Sequence, residues 1–141
     1  MVKKILLSVL ILTSLMGCQM TKSTNLTPAD LYGEYELVQV DQAPIEKTLD
    51  RAMTLSFEQG VADNLKVYGV LCNNFMGQVA LKQGKITSQG LASTRMSCFR
   101  EKEATMENFL NAMLEEGASL TLQSTTLTIE GAGHKFVYKK R

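Results

Sequence analysis

Tryptophan is absent from the 141 residues, histidine occurs once and proline only twice. Without tryptophan there is no indole platform for a sugar, and one imidazole cannot build a multi-histidine metal site. Scarce proline, with 45% hydrophobic and 21% charged residues, excludes a disordered chain. Neither sign of charge dominates. Fifteen Lys and Arg face 14 Asp and Glu, a net of +1, so the basic footprint of a nucleic-acid binder is missing. Neither a glycine-rich phosphate loop nor a Gly-x-Ser-x-Gly elbow occurs. No cofactor is expected. Cysteine is sparse and odd in number, at three, which leaves one thiol without a partner if the other two pair.

What is present begins with a leader. Met1-Val2-Lys3-Lys4 is a short positive segment, followed from Ile5 to Leu15 by an apolar run interrupted only by Ser8, Thr13 and Ser14. Such a run spans about 16 Å as a helix, too short for a hydrocarbon core of roughly 30 Å. It has no polar face, so a buried or amphipathic helix of the fold is a poor description, and a secretory signal peptide is expected. The run ends in Leu15-Met16-Gly17-Cys18, which resembles the lipobox of bacterial lipoproteins. Met16 stands where a smaller residue is commoner. The resemblance implies a diacylglyceryl group on Cys18, cleavage before it and acylation of its new amine. The competing reading is an ordinary cleavage site with an incidental cysteine. Gln19 stands where an aspartate would signal inner-membrane retention, so the outer membrane is implied, with the domain facing the periplasm. Residues 1–17 are thus expected as signal peptide, 18–27 as a lipidated polar tether and 28–141 as the domain. The processed chain carries 13 basic against 14 acidic residues.

The body reads as strands with one helix. Residues 33–40 alternate in polarity, as do Met53, Leu55 and Phe57 with Thr54, Ser56 and Glu58. Further strands are expected at 65–71, 78–82, 85–88, 119–123, 126–130 and 135–139. Gln83-Gly84 and Ser124-Thr125 read as tight hairpin turns, and Gly131-Ala132-Gly133 as a slightly longer one. Thr27-Pro28 opens a short helical turn. Met106, Phe109, Leu110, Met113 and Leu114 repeat at helical spacing, with Glu103, Glu107, Asn108, Asn111 and Glu115 assigned to the polar face and Gly117 as the stop. The methionines read as core filler. A mainly β (α+β) domain is expected, a small antiparallel β-barrel-like meander with one amphipathic helix over an open end or side.

Two segments carry a more specific signal. The chain reads Cys72-Asn73-Asn74-Phe75-Met76-Gly77, and later Gly90-Leu91-Ala92-Ser93-Thr94-Arg95-Met96-Ser97-Cys98. These resemble the META domain of the HslJ family, with its CN-x-F-x-G and GLA-x-TRM-x-C motifs followed by a helix and a closing strand pair. Matched positions are Cys72, Asn73, Phe75 and Gly77, then Thr94, Arg95, Met96 and Cys98. Val79 stands where many relatives carry an aromatic. The resemblance implies a loosely lipocalin-like barrel and a heat-shock-associated envelope protein, linked at family level to resistance to the antibiotic novobiocin. The family has no agreed catalytic activity, so no active site is carried over and a non-enzyme is expected.

The residues themselves add six readings. Asn73 and Thr94 are placed to close a turn through side-chain to backbone bonds. Arg95, if buried, needs a carboxylate or carbonyls, and a structural clamp is preferred to a ligand anchor. His134 reads as a surface strand residue and the scattered acids as solvated. The tail Lys139-Lys140-Arg141 offers a contact to anionic head groups. With Cys18 consumed by lipid, Cys72 and Cys98 form an even pair for an oxidising compartment, and a disulfide is expected; two reduced buried cysteines or a redox sensor are the other options. The expected partners are the membrane through the lipid anchor and an unidentified envelope protein, with no nucleic acid, around a monomeric domain. The alternative function is binding of a small apolar or amphipathic ligand in the barrel mouth.

Overall fold

The computed structural model describes residues 25–46, 51–96, 98 and 100–141. The signal segment, Cys18 and the tether up to residue 24 lie outside these residues. Alternation along the chain produces strands β1 (Gly33–Val40), β2 (Ala43–Pro44), β3 (Thr54–Gln59), β4 (Asn64–Val70), β5 (Asn74–Lys82), β6 (Lys85–Ser88), β7 (Ala92–Ser93), β8 (Ala118–Gln123), β9 (Thr126–Gly131) and β10 (His134–Lys140). Helix α1 (Pro28–Leu31) precedes them and α2 (Glu101–Glu116) lies between β7 and β8.

All pairings are antiparallel, in the order β10-β9-β8-β6-β5-β4-β3-β1. Closure comes from β1 against β10, with Tyr35 opposite Lys140 and Val40 opposite Phe136 across a register shift between Leu37 and Gln39. The result is a closed barrel of eight strands, with β2 hung on β1 and β7 on β5. Closure leaves no long exposed strand edge.

Side chains fill the barrel. Tyr35, Leu37, Leu55, Phe57, Leu65, Val67, Phe75, Val79, Ile86, Leu127, Ile129, Phe136 and Tyr138 are all buried in one core cluster, the period-two positions that point inward. Of the two helix methionines read as core filler, Met113 sits in that core and Met106 is only partly buried against it; Val79 is buried despite its small size.

Two local expectations need correction. β5 begins at Asn74 rather than near 78, so the first motif is itself strand; Gly77 interrupts the apolar alternation and hid the start. The last turn is shorter than expected: Gly131 pairs with His134, leaving Ala132 and Gly133, at φ 47° and 79°, as a two-residue turn. The hairpin β1–β2, turning through Asp41 and Gln42 at φ 47° and 70°, was not legible.

An up-and-down order sorts the connections between two ends. The described residues of segments 41–53, 71–73, 89–117 and 132–133 lie at one end, and 60–63, 83–84, 124–125 and both ends of the described chain lie at the other. α2 belongs to the first end, its Leu110, Met113 and Leu114 buried. α1 sits at the second, where Leu31 is buried and its carbonyl accepts a 2.9 Å bond from the Tyr35 hydroxyl. Thr27 caps α1: its amide and hydroxyl both donate to the Asp30 carboxylate at 2.7 Å.

Candidate functional site

The polar chemistry of the helix-capped end converges on Asn73, in the β4–β5 connection. Its backbone amide donates to Glu107 Oε2 at 2.7 Å and its Nδ2 to Oε1 at 3.1 Å. Its Oδ1 accepts the Met96 amide at 2.8 Å. One step on, the Asn74 amide donates to Thr94 Oγ1 at 3.1 Å, and the Thr94 amide to the Asn74 carbonyl at 2.9 Å. Two connections distant in sequence and helix α2 are thereby tied at one residue.

Cys72 and Cys98 lie at disulfide distance beside this knot, their α-carbons 5.9 Å apart across 26 residues of sequence; bridged cysteines normally show 4.4–6.8 Å. Arg51 Nη2 donates to the Cys72 carbonyl at 2.7 Å, a role no side-chain pattern announces, because its acceptor is backbone. Phe75 is buried opposite Gly69, and a β-carbon on Gly69 would meet the Phe75 ring and the Thr54 carbonyl. Gly77 lies beneath Leu91, whose Cδ2 would stand 2.7 Å from an added β-carbon.

Three sequence readings change here. Glu107, assigned to the solvated face, is only 7% exposed. It stands three residues before Leu110 and seven before Leu114, on the buried stripe; spacing carried that signal and residue type masked it. Arg95 lacks the burial that the clamp reading requires. It is exposed, with no carboxylate partner among the described residues, and Met96 beside it is 49% exposed. His134 is half-buried rather than a plain surface residue. Its Nδ1 lies 2.7 Å from Asp41 Oδ2, and its ring stacks on Phe109 of α2 with centroids 3.6 Å apart. Asp41 Oδ1 also accepts the Lys135 amide at 2.8 Å. The bond to His134, then that amide, hold the Asp41 carboxyl below its ordinary range.

Two hollows flank this end. A groove of about 840 Å³ runs between β2 and the first half of α2, with Val40, Ile45, Met53, Met106 and Phe109 as its apolar walls. A second, of about 720 Å³, surrounds His134, and none of its described lining residues carries a hydroxyl or thiol that the imidazole would activate. Among the described residues no group of three or more His, Cys, Asp or Glu is arranged to hold a metal.

Comparison with known proteins gives this arrangement its context. The sequence profile of the META domain matches residues 25–141. The chain belongs to the META domain family. Heat shock protein HslJ of Escherichia coli (strain K12) is 30% identical over 138 residues, covering 97% of this chain and 95% of that protein. A protein structure solved by NMR, also 30% identical, superimposes with a TM-score of 0.71 over 82% of this chain and 96% of its own. A second NMR structure, from Burkholderia xenovorans, shares the fold at a TM-score of 0.61 and 18% identity, covering 92% and 99% of the two chains. The two META motifs are the segments joined at Asn73, so in this chain they meet through Asn73, Thr94 and the cysteine pair, with Glu107 of α2 as third party.

Proposed function

We propose that this META protein is a non-enzymatic lipoprotein of the outer membrane, held by acyl chains on Cys18 with its domain facing the periplasm. In this reading it serves the envelope under heat stress and contributes to novobiocin resistance. The observation that carries the reading is the end-to-end likeness to a heat shock protein, HslJ, of which the chain covers 95%. The leader supports it independently: Lys3 and Lys4, a short apolar run and Leu15-Met16-Gly17-Cys18 stand directly before the polar tether. A barrel whose inward positions are filled, and an imidazole with no hydroxyl or thiol among the described residues lining its hollow, favour work done by the outer surface rather than by an internal active site.

The test has two readouts. Intact mass of the membrane-extracted protein should exceed that of residues 18–141 by a diacylglyceryl group plus any amide-linked acyl chain, and Cys18→Ala should release the chain from the outer membrane or leave it unprocessed. A strain lacking the protein should be more sensitive to novobiocin after heat shock, restored by the wild-type chain and not by Cys18→Ala. A soluble product of unmodified mass refutes the anchor; unchanged sensitivity refutes the envelope role.

A second reading, binding of a small apolar or amphipathic molecule, is favoured by the groove between β2 and α2 and not by the barrel interior. Saturable uptake of a fluorescent fatty acid, lost in Met106→Glu, is its expected signature.

A further inference from the structure

Both ends of the described chain and three hairpin turns lie at the α1 end of the barrel, opposite α2. The charges there are unequally matched. Glu34 and Glu36 face Arg141, at 2.5 and 3.8 Å, and Glu58 faces Lys66 at 3.3 Å. Lys82 and Lys85 flank the β5–β6 turn, Lys139 and Lys140 close β10, and none of the four has a carboxylate within 4.0 Å among the described residues. Lys139 Nζ donates to Thr126 Oγ1, and Lys140 Nζ lies 5.6 Å from the Tyr35 ring centroid, where β1 begins. All four lysines are exposed. Among the described residues, Asp30, occupied by Thr27, and Asp63 are the other acids there. Among the described residues the α2 end is the reverse: outside its ion pairs it exposes Glu46, Glu101, Glu115 and Glu116 against Arg51, Arg95 and Lys102.

We infer that the α1 end is a docking face for an anionic phospholipid surface, and that Lys82, Lys85, Lys139 and Lys140 make the contact. The inference rests on the proposed anchoring at Cys18. From Leu26, which packs against the core, Cys18 is eight residues away, a reach of at most about 28 Å. A chain so tethered keeps its α1 end near the head groups and raises the local concentration of those lysines at the surface. Their attraction extends about one Debye length, roughly 8 Å at physiological salt, and turn lysines on long stems bridge that gap. The α2 end, with its surplus of acids, is directed away from the membrane, which leaves the groove, the exposed Met96 and the motif knot open to the periplasm.

Amine-reactive footprinting of the acylated protein in vesicles tests the orientation. In vesicles containing 30% phosphatidylglycerol, Lys82, Lys85, Lys139 and Lys140 should be protected several-fold relative to Lys102 and Lys135. The protection should vanish in pure phosphatidylcholine and at 0.5 M salt. Equal labelling at both ends, or protection of Lys102 and Lys135 instead, overturns the proposal. The mature chain carrying Cys18→Ser separates this from the anchor. It should still sediment with the anionic vesicles, and Lys82→Gln with Lys85→Gln should weaken that partition about 25-fold, at roughly five-fold per lysine. Inorganic phosphate at millimolar concentration should not displace it. No salt-sensitive partition, or displacement by phosphate, ends the docking claim, whereas missing acyl mass on the wild-type protein ends only the claim about the anchor.

Discussion

Asn73 holds its surroundings through every polar atom of its side chain and through its backbone amide, and Glu107 supplies both oxygens for that purpose. Removing the carboxylate strands two donors of the half-buried Asn73, which costs about 1–2 kcal/mol. Glu107→Ala is therefore expected to lower the urea midpoint by that equivalent, with Glu115→Ala on the exposed side of α2 within about 0.5 kcal/mol of wild type. Equal effects of the two variants would show that the Asn73–Glu107 bonds contribute nothing. Asp41 gives a pH signature. Its folded-state pKa lies below the ordinary 3.8, chiefly through the His134 bond. Its contribution is present above the unfolded value and is lost as pH falls through the folded one. Asp41→Asn should therefore flatten the acid limb of stability below about pH 4, measured as unfolding midpoints across a pH series. An unchanged acid limb would contradict this assignment.

Among the strands, two glycines of the β4–β5 pair separate close approach from mere looseness. A β-carbon on Gly69 would collide with the carbonyl oxygen of Thr54 and stand 2.7 Å from the ring of Phe75, whereas one on Gly77 crowds the Leu91 side chain at 2.7 Å and reaches backbone, the Gly90 carbonyl, only at 3.4 Å. Backbone cannot yield and a leucine methyl can rotate. Gly69→Ala is expected to cost about 2–3 kcal/mol and Gly77→Ala about 1 kcal/mol or less. Equal losses would refute the distinction, with calorimetric unfolding as the measurement. Helix α2 presents a comparable choice. Its apolar stripe at 110, 113 and 114 anchors it, and Phe109 adds a stack on His134. Phe109→Ala should loosen the helix against the β9–β10 turn, seen as faster amide exchange in α2 while the β3–β4 pair keeps its protection. Uniform loss of protection would mean that α2 and the barrel unfold as one unit.

For the whole molecule the cysteine pair decides how firmly the helix-capped end stays shut. A bond between Cys72 and Cys98 closes 26 residues, worth about 3.5 kcal/mol by chain entropy. With Cys18 replaced by Ala, the denatured, non-reduced protein should show no titratable thiol, and reduction should lower stability by an amount of that order. Two free thiols in that variant, isolated without reductant, would end the disulfide claim. Because the loop contains the second motif, reduction should also release the hold on Met96 and Thr94 before it disturbs the α1 end.

Period-two alternation determined the eight barrel strands to within a residue or two for most of them, since each inward position needs an apolar side chain whatever its partner. Helical spacing fixed α2 and Gly117 its end for the same local reason, and the motif pair identified the META domain. Pairing order, closure through β1 and β10, and the ends to which α1 and α2 belong were decided only in three dimensions. So were the partners of polar residues. Glu107 looked solvated because a carboxylate is costly to bury alone, and only the fold brings Asn73 to it from 34 residues away. His134 finds Asp41 across 93 residues, and Arg51 finds a carbonyl. Arg95 shows the converse, a motif arginine that reads as a buried clamp and stands exposed. Apolar burial repeats along the chain and is legible there, whereas a polar contact is a single long-range coincidence that exists only once the barrel has closed.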